Sequence, residues 1–557
     1  MNRELLRVAA PWVAAALVDA YATLGSWPRP LWWQFAFEIV LLALAGRVQW
    51  KLARGWLRTP LLPAAAVAFF AAAFYAPHPP LQLAAYLVGL LAGLGVVVRI
   101  AGARLRVSPA AGVVVAALVV LACRYLDAVS PLQPQIVPLR TLVGELTWPL
   151  RAVGSAEANN QGPPVVVISV DTLRADAARD METVRRLARR GAYWPRAMST
   201  ANWTLPALAS LQTGRMPSEH GAGCFAGGHC QGVFDHVPFL AEDLRAAGYA
   251  TAAVVTNPWV TSGTGFDRGF GTFIESGNTL RRLLVAGAPV GPHRQDSQYV
   301  IDAAIDWLSR APARGFYLWV HVVDPHMPYR HGDDPFIESL SSTTIRTALP
   351  LSADSMRAVR AAYAAEVAYV DRQVVRLLDA LEARGVLEDG VVVFTSDHGE
   401  ELWDHDGIEH GHSHHGEVVD VPLVLVAPGV APGTRTGVAS LVDAASTIRA
   451  AAGLEPRGLD LRKGVPADRV ATAWGGVVLH IDCSARDAHA RAIVRDCSAA
   501  PTAAQVYDLD ADPRELHPLD RVPGDRVLAA ARAVEAPTAG KAARLHQDAL
   551  RELGYLQ

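Results

Sequence analysis

The sequence predicts an α/β fold: a mostly parallel sheet flanked by helices, followed by a smaller C-terminal subdomain and preceded by an all-α transmembrane bundle. Three observations carry this. Apolar strand-like runs alternate with amphipathic helical stretches between residues 165 and 426, the pattern becomes shorter and more polar after about 430, and apolar segments crowd the first 130 residues. A chain of 557 residues has room for several domains. The expected organisation is a five-helix membrane domain over 1–130, a linker over 131–162, an α/β core over 163–430 and its C-terminal subdomain over 431–557.

The hydrophobic share is 51% and is concentrated before residue 130, in segments 8–24, 31–45, 61–75, 81–98 and 110–123. Several sit near the lower length limit for a span, about 17 residues, with Trp, Tyr and Pro at their flanks to extend them into the interface. Arg3 and Arg7 precede the first segment; Arg47, Lys51, Arg54 and Arg58 follow the second; Arg99, Arg104 and Arg106 follow the fourth. The other two connections carry only Arg29 and His78. The positive-inside rule then makes the N-terminus cytoplasmic, and an odd number of spans puts everything after about residue 130 on the extracytoplasmic, periplasmic side of a cell (inner) membrane. The first segment has no small-residue cleavage site, so a removed signal peptide is not expected. Asp19 and Glu38 fall inside apolar segments, where a carboxylate faces either the interface or other helices.

A formal net charge of -3 without a basic run predicts no nucleic-acid partner. Of five cysteines, Cys123 lies in the last apolar segment. Cys224, Cys230, Cys483 and Cys497 form an even set whose short spacings suggest the local disulfides Cys224–Cys230 and Cys483–Cys497, as an external domain allows. Metal binding, with His229 beside Cys230, is the rival reading, although neither pair has zinc-ribbon spacing.

Residues 131–162 are rich in Pro, Gly and Asn, with a short helix expected at 139–150. Residues 165–170 then form a continuous β-branched run, the mark of a strand buried on both faces. Helices are predicted over 181–190, 240–247, 299–310 and 358–383, and strands over 251–255, 316–323, 391–395 and 423–426. This alternation implies a largely parallel sheet. Beyond 430 come short helices, a strand at 477–481 and a closing helix near 542–553. No internal repeat is evident.

Open α/β sheets bind ligands at the carboxyl ends of their strands. Asp171 ends the first strand; His321, Asp324 and His326 cluster at the end of 316–323; Asp397 and His398 follow 391–395. Carboxylates mixed with imidazoles suit one divalent ion, Zn or Mn better than Ca or Mg. The stretch 202–221, NWTLPALASLQTGRMPSEHG, adds a hydroxyl: Thr204 stands before Pro206 as the expected N-cap of a helix ending near Gly214. There it faces unpaired N–H groups and the positive end of the helix dipole, which suits attack on a phosphate-like or sulfate-like group. Taken alone, the same pattern is an ordinary helix cap.

Ordered motifs give these pieces a common frame: VVVISVDTLRAD at 165–176, TLPALASLQTGRMPSEHG at 204–221, LAEDLRAAGYATAAVVTNP at 240–258, GFDRGF at 265–270, HVVDPHMPY at 321–329, FTSDHGEEL at 394–402, HGHSHHGEVVDVPL at 410–423, VYDLDADPRE at 506–515 and LRELGYL at 550–556. Together they resemble the sulfatase branch of the alkaline phosphatase superfamily over nearly all of residues 163–557, which implies an alkaline-phosphatase-like fold. The resemblance implies that Asp171, Thr204, Asp397 and His398 bind the metal, with Thr204 also the nucleophile. It places His326 and His412 at substrate-contacting positions; for His410, His414 and His415 a surface or packing role weighs at least as heavily as a role in the site. A second metal on Asp324, His326 and His412 is conceivable, without the spacing usual in two-zinc relatives.

Departures from that family shape the expected activity. Its formylglycine enzymes convert a Cys or Ser followed by x-Pro-x-Arg, whereas this chain reads Thr204, Leu205, Pro206, Ala207, Leu208. His398 stands where typical sulfatases carry Asn, and Thr172 where they carry a second Asp. A Thr nucleophile is the device of the superfamily's phosphodiesterases and membrane phosphotransferases. Five spans before an external catalytic domain is also the plan of the lipid A phosphoethanolamine transferases and lipoteichoic acid synthase. The expectation is a membrane-embedded enzyme that moves a phospholipid head group or other phosphodiester through a covalent phospho-threonine. A sulfuric or phosphonate ester hydrolase of the same fold is the alternative, and a catalytically silent scaffold a third reading.

Overall fold

Eight strands form one sheet in the computed structural model, which describes residues 159–225, 229–257, 259–261, 264–274, 297–331, 352–476, 481–497, 503–519 and 526–537. The described residues all belong to one compact unit. The five apolar segments, Asp19, Glu38 and the helices expected at 139–150 and 542–553 lie outside the described residues. Among the described residues no helix is long and apolar enough to cross a membrane.

In chain order the main elements are β1 (Val165–Val170), α1 (Glu182–Ala188), β2 (Ala192–Met198), α2 (Thr204–Thr213), α3 (Leu240–Ala246), β3 (Ala250–Val255), β4 (Thr272–Ile274), α4 (Ser297–Arg310), β5 (Phe316–Val322), α5 (Ala353–Ala383), β6 (Val391–Ser396), β7 (Asp420–Val426), β8 (Gly433–Thr434) and α6 (Val442–Ala451). The sheet order is β8-β2-β7-β6-β1-β5-β3-β4. The strands β6, β1, β5, β3 and β4 run parallel, as the alternation of strands and helices requires. The neighbouring β7 is antiparallel to both β6 and β2. The sheet is therefore mixed, and β2, interrupted by Pro195, gave no strand signal because proline cannot donate to a ladder.

Two apolar clusters fill the two faces. One packs β1 residues Val165 and Val167 with α2, α3 and α6; the other packs Val166, Ile168 and Val170 with α1, α4 and α5. Successive side chains of β1 thus enter opposite layers, and the strand is apolar throughout because both faces are dry. Helix α2 is buried along its whole length, which explains its lack of a polar face. The first cluster continues past residue 430 through Ala444, Ile448 and Leu461.

A second, antiparallel sheet follows, with β9 (Ala471–Gly475), β10 (Asp482–Arg486), β11 (Ala490–Arg495) and β12 (Ala503–Asp508) in that order, covered by α7 (Arg526–Arg532). Of the strand expected at 477–481, residues 477–480 lie outside the described residues and Ile481 lies between β9 and β10. Cys224–Cys230 bridges the hairpin of Gly223–Phe225 with His229–Gln231, and Cys483–Cys497 bridges β10 to the end of β11. These cysteines are disulfides, which removes them as metal ligands.

Candidate metal centre and nucleophile

The central strand β1 lies between β5 and β6, with Ser169 in register with both His321 and Thr395. All three strands run the same way, so their carboxyl ends bring Asp171, His321 and Asp397 to one place. All three are fully buried, and their ligand atoms lie within 4.8 Å of one another. The next strand, β3, delivers Asn257 just beyond its end.

Thr204 meets this group from the start of α2. It was expected to be the N-cap, but Trp203, extended at φ -163° and ψ 165°, caps the helix, and Thr204 is the first helical residue. The shift arises because the Trp203 carbonyl already accepts from Ala207 N–H at 3.4 Å. The helix ends as expected at Gly214, whose φ of 67° suits a residue without a Cβ.

The Thr204 hydroxyl is placed by two neighbours. His398 Nδ1 lies 2.9 Å from the Gly399 carbonyl, which can only accept, so the neutral ring carries its proton on Nδ1. Its Nε2 is a lone pair, 3.2 Å from Thr204 Oγ1. Asn257 Nδ2 donates to Asp171 Oδ2 at 2.5 Å and to Thr204 Oγ1 at 3.4 Å. Burial lowers the His398 pKa and keeps the ring neutral. Gly399 is required beside it: a Cβ there would lie 2.0 Å from the Glu417 carbonyl oxygen.

The carboxylates are tied down on one side and bare on the other. Asp397 Oδ1 accepts the N–H groups of His398 at 2.8 Å and Thr172 at 3.3 Å. Thr172 serves this role with φ at 54°, a strained conformation for a β-branched residue, held by the Tyr363 hydroxyl donating to its carbonyl at 2.9 Å. Asp171 Oδ1, Asp397 Oδ2 and His321 Nε2 have no hydrogen-bond partner, and His398 Nε2 lies 3.4 Å from Asp397 Oδ2 and 3.6 Å from Asp171 Oδ1. Buried acceptors converging without donors are costly unless a cation lies among them. The electrostatics agree. Burial and the charge of Asp171 push Asp397 well above the usual carboxylate range. The residues therefore fit a divalent ion.

His326 approaches the same centre; its Nδ1 donates to the Met327 carbonyl at 2.6 Å. From the 410–415 run, the structure brings His410 to the centre, its ring 4.3 Å from His398 and 5.1 Å from His326. His410 is buried and bonded through Nδ1 to Glu400 Oε1 at 2.9 Å. The His412 side chain is 42% exposed and bonded to Glu401 at 3.0 Å, on the outside of this turn. His414 is buried with its pKa depressed to about 4 by burial, and joins Ser484 and the Gly475 carbonyl. His415 pairs with Glu515 at 3.2 Å.

The second sheet steadies this arrangement. Trp474 N–H donates to the Thr200 carbonyl at 2.9 Å, Asn202 Nδ2 to the Ser413 carbonyl at 3.1 Å, and Gly411 N–H to the Asn202 carbonyl at 2.9 Å. The turn bearing Thr204 and the turn bearing His410 are thus fastened to each other and to β9. Asp324, expected with His326 and His412 around a second ion, is gathered instead with His331 and Glu366. Its Oδ2 accepts from Ser297 N–H at 2.9 Å and from the Ser297 hydroxyl.

Comparison with known proteins gives this geometry a family. The sulfatase profile matches residues 163–454. The choline-sulfatase of Rhizobium meliloti is 25% identical over 433 residues, covering 64% of this chain and 81% of that protein. The low-salt glycan biosynthesis sulfotransferase Agl7 of Haloferax volcanii is 27% identical over 298 residues, covering 52% of this chain and 61% of that one. The phosphonate monoester hydrolase of Agrobacterium radiobacter shares the fold, with a TM-score of 0.52, 20% identity and coverage of 66% of this chain and 93% of that chain. With the profile spanning more than half of its length, this chain belongs to the sulfatase family.

Proposed function

We propose that this sulfatase-family protein is a metal-dependent enzyme that transfers or hydrolyses a phosphodiester group through a covalent intermediate on Thr204. The observation that carries the reading is the Thr204 hydroxyl, buried between His398 Nε2 and Asn257 Nδ2 beside Asp171 and Asp397. A bound divalent ion would lower the pKa of that hydroxyl and neutralise charge on the non-bridging oxygens of the ester.

Charge supports a singly charged substrate. Two carboxylates balance one divalent ion, and the Arg174 guanidinium is committed to Asp176 at 2.9 Å and Asp404 at 2.6 Å. Phosphodiesters are monoanions, whereas phosphate monoesters approach a second charge. In the first displacement the Thr204 oxygen, its proton lost to solvent, bonds to phosphorus while the bond to the leaving oxygen breaks. That oxygen takes a proton from the imidazole of His410 or His326. In the second, an acceptor oxygen gives its proton to the same imidazole, bonds to phosphorus and releases Thr204. With the apolar segments before residue 130, the reading extends to a membrane phospholipid as donor and a catalytic domain outside the cytoplasm.

Sulfuryl transfer is the second reading, favoured by the names of the choline-sulfatase and sulfotransferase relatives, because a sulfate monoester is also a monoanion. Turnover of a bis-aryl phosphodiester and of an aryl sulfate by the metal-loaded full chain separates the two. The proposal expects the diester to be the better substrate and Thr204→Ala to abolish its turnover. Preference for the sulfate would establish the second reading.

A further inference from the structure

We infer that His321 is itself a ligand of the ion at Asp171, Asp397 and His398, so that this chain binds its metal through two imidazoles. The inference rests on the metal-dependent reading above and adds to the four ligands that the sequence implied. The register of β1 against β5 sets Ser169 beside His321, with Ser169 Oγ 3.0 Å from His321 Nδ1. The Trp319 indole donates to the same Oγ at 3.0 Å, and the Ser169 hydroxyl proton has the Val320 carbonyl as an acceptor at 3.4 Å. With its own proton directed there, Ser169 Oγ accepts from Nδ1–H of His321. Nε2 is then a lone pair, buried, without a hydrogen-bond partner and 3.6 Å from Asp171 Oδ2. A lone pair facing a carboxylate in a dry interior is repulsive, and a cation between them removes the conflict.

Metal-bound histidines are held in this way, with the far nitrogen donating to a fixed acceptor that sets the tautomer. Trp319, Ser169 and His321 form such a relay, built entirely from inward-facing positions of two paired strands. It mirrors His398, whose Nδ1 is fixed by the Gly399 carbonyl. Where Thr172 lacks a carboxylate, His321 supplies a nitrogen, and the donor set moves from hard oxygen toward the mixture that prefers Zn, Co or Mn over Ca. In the competing arrangement Ser169 donates to Nδ1, and His321 merely points Nε2–H at Asp171 as a positioning residue.

Full-length protein is stripped with a chelator and titrated with Zn by calorimetry, and the zinc-loaded form is examined by X-ray absorption to count bound imidazoles. Two imidazoles are expected in the wild type and one in His321→Gln, with affinity lowered about 10- to 100-fold in the variant and also reduced in Ser169→Ala. A single imidazole in the wild type overturns the inference, as does unchanged affinity in a His321→Gln protein whose metal-free melting matches wild type. If His321→Gln does not fold, the wild-type imidazole count decides alone. Wild type that binds Zn through one imidazole and still turns over a phosphodiester defeats only this inference; loss of turnover dependence on Thr204 defeats the proposed function instead.

Discussion

Thr204 Oγ1 lies 3.2 Å from His398 Nε2, and the Gly399 carbonyl fixes that nitrogen as a lone pair from the far side of the ring. The hydroxyl is thus aimed at the nitrogen that would share its metal. Thr204→Ala is expected to lower kcat roughly a thousandfold or more, as loss of a covalent nucleophile does. Thr204→Ser keeps the oxygen and should retain measurable turnover. Steady-state kinetics on a phosphodiester checks this, and equal rates for Thr204→Ala and wild type would refute a covalent role.

Asp171 and Asp397 face each other through bare oxygens in a buried site. Metal should therefore stabilise the fold, by about 2.7 kcal/mol when free ion exceeds Kd a hundredfold. Asp397→Asn removes one of two opposed charges, so its metal-free form should melt no lower than metal-free wild type while losing the response to metal. Thermal melts with and without chelator test this; a full metal response in Asp397→Asn would remove Asp397 from the ligand set.

Much of this centre was legible in the sequence because its residues follow buried apolar runs. Val165–Val170 and Val391–Ser396 could hardly be anything but inner strands, and Asp171, Asp397 and His398 stand at their ends. Asn257 follows Val255 in the same way, two residues past a strand, and that position was its available signal. His321 was visible at a strand end, but its tie to Ser169 depends on strand register, which no single segment encodes. The choice between His410 and His412 was hidden for a similar reason. Both lie in one turn, and only the folded path of 408–416 decides which ring is buried beside His398. The antiparallel β7 and the proline-interrupted β2 were obscured because a strand's direction is set by its partners.

The second sheet is held to the first by buried charge. Arg491 is fully buried, 2.5 Å from Asp420 and 2.8 Å from Glu515, while Arg486 and Arg196 also contact Asp420 at 2.9 and 2.7 Å. Arg491→Met leaves Glu515 under-compensated in a dry site, at an expected cost of about 3 kcal/mol. Denaturant unfolding measures this, and unchanged stability would show that the network contributes nothing net.

His405 gives a pH signature away from the metal centre. Burial lowers its pKa, but the Glu417 carboxylate at 2.6 Å more than reverses this and raises it from 6.5 to about 9. Because the folded value is the higher one, the stabilisation is fully present below pH 6.5 and is lost as pH rises through about 9. The stability difference between wild type and His405→Gln should shrink across that window. Denaturation midpoints at either end provide the check, and a constant difference would contradict the assignment.

The most direct test of the central claim is mass spectrometry of the peptide containing Thr204 after the metal-loaded full chain is exposed to a phosphodiester or to membrane phospholipid and quenched during turnover. The account predicts a phosphoryl-ester adduct on Thr204 that is absent without metal and chased by acceptor or water. Sustained turnover with Thr204 unmodified at every time point, and retained in Thr204→Ala, would contradict it.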